Sequence, residues 1–184
     1  MSKQIVAVDL HDTIFSYTTT CIEKYGWPAN PLAKTLREIW LNVDWDVHFS
    51  QPHHSQFLSG LRPLGGALDC LDQLILSEQY EVIITTATAK GGADEAATRE
   101  TLAEWGLDQV AIQFLSGHDN KAEWLVDPSN KVSFLIDDYG PLIESVARRQ
   151  GPRCLVIDGP WNRYLRVGRR FLHWAELQKF FFHE

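Results

Sequence analysis

Short apolar runs recur along the chain, each ending in polar residues. Ile5-Val6-Ala7-Val8 leads into Asp9, and similar runs occupy 81–86, 111–115, 132–136 and 153–157. These runs are continuous rather than alternating, as expected of strands covered on both faces. Helical patterns fill most of the gaps, at about 64–78, 93–105, 140–150 and 173–182. Asp94 and Glu95 favour the first turn of the second helix, and Gly106 marks its end. Strands alternating with helices predict an α/β fold, a Rossmann-like three-layer core with a central parallel sheet.

Residues 16–60 break that rhythm. Asn30-Pro31 reads as an N-cap followed by proline in the first helical position, opening a helix to about Leu41. Tyr17, Trp27, Trp40, Trp45, Phe49 and Phe57 surround it, with His48, His53 and His54. The pattern is that of a small helical cap inserted after strand 1, over the strand ends where α/β sheets bind ligands. The predicted organisation is a discontinuous core, 1–15 and 61–184, with the cap at 16–60. The three histidines lack a helical metal-binding spacing and read as cap or loop residues.

Bulk properties narrow the class. The 184 residues are enough for one domain with a full core and a small insertion. No apolar stretch approaches the roughly 20 residues that span a bilayer, so no membrane association is expected. Asp9, His11 and Asp12 interrupt any N-terminal signal core. Cys21, Cys70 and Cys154 are odd in number and widely spaced, which suits reduced thiols and a cytoplasmic location. The net charge is −7, although residues 145–184 carry 8 Lys/Arg against 3 Asp/Glu. An acidic protein is a poor partner for a nucleic-acid polymer, whose affinity rests on phosphate neutralisation. Arg163, Arg166, Arg169 and Arg170 read as a solvated basic face.

Four features carry chemistry. Asp9 stands at the end of the first strand, where an acid can serve as a phosphoryl-accepting nucleophile and a magnesium ligand. Thr85-Thr86-Ala87-Thr88 ends the second, and hydroxyls and amides there can hold phosphate oxygens. Lys121 follows the third strand and a Gly-His-Asp-Asn turn, with Lys131 competing for the same role of offsetting phosphoryl charge. Asp137-Asp138 ends the fourth, an acidic pair that needs a compensating cation. Each has an ordinary explanation alone: a turn-shaping Asp, strand-end threonines, a surface lysine, a helix N-cap. In this order, each after an apolar strand, they describe a phosphoryl-transfer site with one Mg²⁺.

These residues resemble the motifs of the haloacid dehalogenase-like (HAD) hydrolase superfamily. Asp9-Leu10-His11-Asp12-Thr13 matches its Asp-x-Asp-x-Thr motif except at the third position, and Thr86, Lys121 and Asp137-Asp138 match the other three. Within the superfamily the chain is similar to 5′(3′)-deoxyribonucleotidases. That likeness extends through residues 61–68 and 134–138 and through Ile157-Asp158-Gly159-Pro160-Trp161-Asn162-Arg163. The resemblance implies hydrolysis of (deoxy)nucleoside monophosphates, with Asp9 as nucleophile. Mg²⁺ would be held by Asp9, the His11 carbonyl and Asp137, with Asp138 ordering a metal-bound water. Thr86 and the Ala87 amide would bind phosphate, and Lys121 would offset charge beside Asp9. Tyr17, Trp40 and Trp45 are the candidates to contact base and sugar, with filling the cap's own core as the other use for such aromatics. Related proteins often dimerise, so a homodimer is the assembly suggested.

Residue 11 departs from the family. The aspartate expected there protonates the leaving oxygen and then deprotonates water. Histidine leaves three outcomes: it takes over the proton transfers, the phosphoenzyme forms slowly and lingers, or the protein binds nucleotides without turnover. A phosphatase of another small phosphate ester is the rival enzyme reading, and a nucleotide sensor or sequestering protein the rival binding reading.

Overall fold

The computed structural model describes residues 2–26, 43–44, 53–88 and 90–183. Strands β1 (Gln4–Asp9), β2 (Tyr80–Thr86), β3 (Ala111–Phe114), β4 (Val132–Asp137), β5 (Arg153–Ile157) and β6 (Arg169–Phe171) form one sheet in the order β3-β2-β1-β4-β5-β6. Every pairing is parallel. Helices α1 (Tyr17–Tyr25), α2 (His53–Leu58), α3 (Ala67–Leu76), α4 (Ala93–Glu104), α5 (Gly117–Val126), α6 (Gly140–Arg148) and α7 (Trp174–Phe182) complete the described elements. The expected three-layer α/β core is present.

Strand β1 is apolar on both faces because helices cover both. Val6 and Val8 pack with Leu71 and Leu74 of α3 and with Trp174 and Leu177 of α7. Ala7, one residue out of phase, packs with Leu125 of α5 and with Ile143 and Val146 of α6. All of these side chains are almost fully buried. The strand order reverses between β1 and β4, and α/β sheets open a ligand crevice at such a switch point. Register delivers the acids to it. Val8 pairs with Ile136, so Asp9 and Asp137 come next on neighbouring strands, and Asp9 pairs with Thr85 on the other side.

The helices differ from the sequence expectation mainly at their ends and in three omissions. Helix α3 starts at Ala67 rather than 64, because Gly65-Gly66 precede it and Gly66 takes φ +80°. Residues 117–120, read as a turn, are the first turn of α5, so Lys121 projects from a helix. Helix α1 also went unread: Thr18-Thr19-Thr20 lowers helix propensity, and a tertiary contact compensates. Asp12, at φ +55°, accepts hydrogen bonds from the Thr18 amide (2.7 Å) and hydroxyl (2.5 Å). The short α2 and the edge strand β6 were missed as well. Arg169 and Arg170 make β6 look unlike a strand, and such charge is what an edge tolerates.

Helices α1 and α2 fall within the interval expected for the cap; the expected helix at 31–41 lies outside the described residues. Helix α2 is fastened to the core, since Thr101 of α4 donates to the Leu58 carbonyl at 3.1 Å. The three cysteines are free and buried. Burial pushes the Cys70 and Cys154 thiols up to about 12, which makes them inert. The expected basic face is partly paired: Arg163 and Arg170 both bind Asp158, and Arg169 lies over the Phe171 and Phe180 rings. Among the described residues no helix is long and apolar enough to cross a membrane.

Leu135 is fully buried on the strand that delivers Asp137. Leu135→Ala should lower unfolding free energy by about 2–5 kcal/mol in urea titrations, through lost burial and the cavity left behind.

Candidate active site

The site is assembled from the carboxyl ends of four adjacent strands. Asp9, Asp137 and Asp138 bring carboxylate oxygens within 4.8 Å of one another, and all three residues are buried. Lys121 enters from α5, 1% exposed. Its ammonium group hydrogen-bonds Asp9 Oδ1 and lies 2.9 Å from Asp137 Oδ2. Lys131, the other lysine considered, is exposed in the loop before β4. Burial alone would lower the Lys121 pKa, but the charges of Asp137 and Asp9 outweigh it and raise it. The same burial raises the Asp137 carboxyl against the pull of Lys121.

Asp138 is held by neutral donors. The Thr13 hydroxyl donates to its Oδ1 at 3.1 Å and the Trp161 indole to its Oδ2 at 2.7 Å. Burial raises its pKa well above the usual carboxylate range, and the charges of Asp12, Asp137 and Asp9 add to the rise. Thr13 is itself fixed, because Trp174 donates to its carbonyl at 2.7 Å.

Three buried carboxylates facing one lysine carry more negative charge than the lysine offsets. Hard oxygen donors in that arrangement fit a small divalent cation such as Mg²⁺. Asp9, Asp137 and Asp138 are the side chains that would hold it.

Thr86 and Ala87, the residues expected to bind phosphate, lie at the end of β2. Thr86 is fully buried at the end of β2, its hydroxyl 3.0 Å from that of Thr88. Ala87 follows it, and its carbonyl accepts from Gly117 at 3.0 Å, which ties β2 to the start of α5. His11 lies beyond β1, with Nε2 buried and without a hydrogen-bond partner among the described residues. Burial pulls its pKa down to about 3, and His54, Lys121 and His118 reinforce the effect.

Tyr17 is buried between His11 and Phe57, with ring centroids at 5.0 and 4.8 Å. Trp40 and Trp45 lie outside the described residues. His54, read as an ordinary cap or loop histidine, has a specific place instead. Its Nδ1 meets Asp94 Oδ2 at 2.9 Å, and its Nε2 lies 3.4 Å from the Tyr17 hydroxyl. Sequence reasoning missed this contact because Asp94 is 40 residues away, with no local pattern linking the two. It also gave Thr13 and Trp161 no role; their places in the first motif and in the 157–163 stretch were the available signals.

Solved structures match the fold along almost the whole chain. A haloacid dehalogenase-like family hydrolase from Streptococcus pneumoniae superposes with a TM-score of 0.62 at 15% identity, covering 97% of this chain and 98% of its own. The HAD-hydrolase YfnB from Bacillus subtilis, solved bound to magnesium, gives 0.63 at 13%, covering 98% and 99%. The L-2-haloacid dehalogenase from Xanthobacter autotrophicus, solved with chloropropionic acid covalently bound, gives 0.60 at 14%, covering 98% of each. The chain has the haloacid dehalogenase-like fold. No protein-family model matches the sequence, and no curated protein is significantly similar to it. In this fold Asp9, Thr86 and Asp137 end three neighbouring strands, and Lys121 reaches them from the helix after the fourth, β3.

Two outcomes follow from this electrostatic arrangement. Lys121→Met should destabilise the metal-free protein by about 3–5 kcal/mol in urea titrations, because it strands two buried carboxylates. Free Mg²⁺ at about 100 times its Kd should add about 2.7 kcal/mol of stability and raise Tm by roughly 5–10 °C, with EDTA reversing the gain. A Tm indifferent to both would contradict cation binding by the folded chain.

Proposed function

We propose that this protein is a Mg²⁺-dependent phosphomonoesterase acting on (deoxy)nucleoside monophosphates, releasing nucleoside and phosphate. The observation that carries the reading is Asp9, buried at the sheet's switch point and held by Lys121 beside Asp137 and Asp138. Asp9 is the nucleophile. Its carboxylate attacks phosphorus, the bond to the sugar oxygen breaks, and that oxygen takes its proton from solvent water. Water then attacks the phosphoaspartate, returning free Asp9 and inorganic phosphate. Lys121 orients Asp9 and offsets charge on the phosphoryl oxygens, which Thr86 and the Ala87 amide also bind. Bound Mg²⁺ supplies further positive charge to those oxygens.

His11 occupies the position of the proton carrier. A neutral imidazole can accept the proton of the attacking water, which suits the second half-reaction. To the interval 16–60, expected as a cap on a core of 1–15 and 61–184, we assign closure over the nucleotide, with Tyr17, Trp40 and Trp45 as the residues proposed to contact base and sugar. The proposed assembly is a cytoplasmic homodimer. A second reading, nucleotide binding without turnover, is favoured by the enclosed, unpartnered Nε2 of His11. A group whose pKa lies near 3 carries no extra proton to donate at neutrality, and alkoxide departure needs one.

Phosphate release from a panel of nucleoside, deoxynucleoside and sugar monophosphates, with Mg²⁺ or EDTA, tests both readings. Release should require Mg²⁺ and disappear in Asp9→Asn. His11→Asp should raise turnover by about 10²–10⁴-fold if the missing acid limits the rate. Silence of the parent chain with rescue in His11→Asp supports the binding reading. Silence of both chains across the panel rules out the phosphomonoesterase. Preferential release from sugar phosphates would move the substrate class away from nucleotides.

A further inference from the structure

The stretch Asp158-Gly159-Pro160-Trp161-Asn162-Arg163 follows β5, and the proposed reaction assigns it no task. Pro160–Asn162 forms a 3₁₀ turn beside the carboxylates. Asn162 is fully buried and ties the turn down. Its amide donates to the carbonyls of Ile157 and Asp138, both at 2.8 Å. Its Oδ1 accepts from the Gly159 amide at 3.2 Å and from Arg170 at 2.5 Å. Arg170 also binds the Asn162 carbonyl and Asp158 Oδ1, each at 2.8 Å. The turn is therefore fastened to the ends of β4, β5 and β6 at once.

This fastening aims one side chain. The Trp161 indole N–H donates to Asp138 Oδ2 at 2.7 Å. Its ring lies against Gly159 so closely that a Cβ there would come within 2.7 Å of two ring atoms. Gly159 is thus the space under the indole, and Asn162 the anchor beside it.

We propose that Trp161 is a positioning residue for the cation site, holding Asp138 in the orientation from which it serves the ion. The proposal rests on reading Asp9, Asp137 and Asp138 as that site. Lys121 pairs with Asp9 and Asp137; the side-chain hydrogen bonds to Asp138 among the described residues come from Thr13 and Trp161. A carboxylate rotor is broad and roughly two-fold, so these two donors set its plane. An indole donates without accepting. It can therefore hold one lone pair of Asp138 without competing for the cation, and leaves the remaining lone pairs to the ion or its water. Partners of this kind behind a metal site commonly control affinity by 10–100-fold.

Mn²⁺ serves as the probe, with the free ion measured by electron paramagnetic resonance in titrations of the full chain and with Mg²⁺ as competitor. Trp161→Phe keeps most of the ring and removes the donor, and should weaken Mn²⁺ binding about tenfold. In an Asp138→Asn background the same change should cost less than about twofold, because its route to the ion is gone. A general packing defect would weaken both backgrounds alike. Should Trp161→Phe fail to fold by urea titration, Gly159→Ala displaces the indole without removing it, and the same pair of results is expected. Parent-like affinity in Trp161→Phe, or equal losses in both backgrounds, overturns the positioning role while leaving the cation site standing. No saturable Mn²⁺ binding by the parent chain overturns the site and this proposal together.

Discussion

Lys121 carries an ammonium group into a part of the molecule from which water is almost wholly excluded. Such a charge is tolerated only when it is paired and hydrogen-bonded, and Asp9 and Asp137 supply both. The dependence runs the other way as well. Two strand-end carboxylates this close repel each other unless a cation sits between them. Strands β1 and β4 and helix α5 therefore meet where they do partly because their charges must. The chemistry proposed for Asp9 needs the same arrangement, since a nucleophile held by a lysine needs no reorganisation when phosphate arrives.

A second layer surrounds this triad and consists of neutral donors. Thr13 and Trp161 hold Asp138, Trp174 holds Thr13, and Asn162 holds the turn that carries Trp161. These contacts join the first loop to the end of the fourth strand, the turn after the fifth and the last helix, each more than 100 residues further along the chain. Neutral donors orient a carboxylate without cancelling its charge, which a cation site must keep. Lysine and tryptophan thus make different contacts: Lys121 pairs with Asp9 and Asp137, and Trp161 donates to Asp138.

The leaving-group side is built differently. His11 is half-buried beside Tyr17 with its Nε2 enclosed, and Tyr17 meets the His54–Asp94 pair that joins α2 to α4. A histidine in such surroundings stays neutral, whereas the aspartate it replaces in the family pattern would carry a transferable proton. Under the proposed reaction, the better the leaving group departs unaided, the less an acid at residue 11 matters.

Much of the core was legible from local pattern. Continuous apolar runs ending in Asp9, Thr86 and Asp137 identified β1, β2 and β4, because strands buried on both faces leave no alternation to misread. Asp9, Lys121 and the Asp137-Asp138 pair stood out because their order along the chain matches the order of the strand ends. The chain alone left other points open. Lys131 competed with Lys121 for one role, and the structure separates them: α5 turns Lys121 inward and the loop before β4 leaves Lys131 in solvent. The three threonines of α1 argued against a helix until Asp12 capped it from six residues away. His54 acquired its partner only through α4, and Trp161 reached Asp138 only across two strands of the sheet. Local sequence determines which segments must be buried and which carry charge. Pairing among distant polar groups depends on tertiary register, and register decided that Lys121 meets Asp9 and Asp137, His54 meets Asp94 and Trp161 meets Asp138.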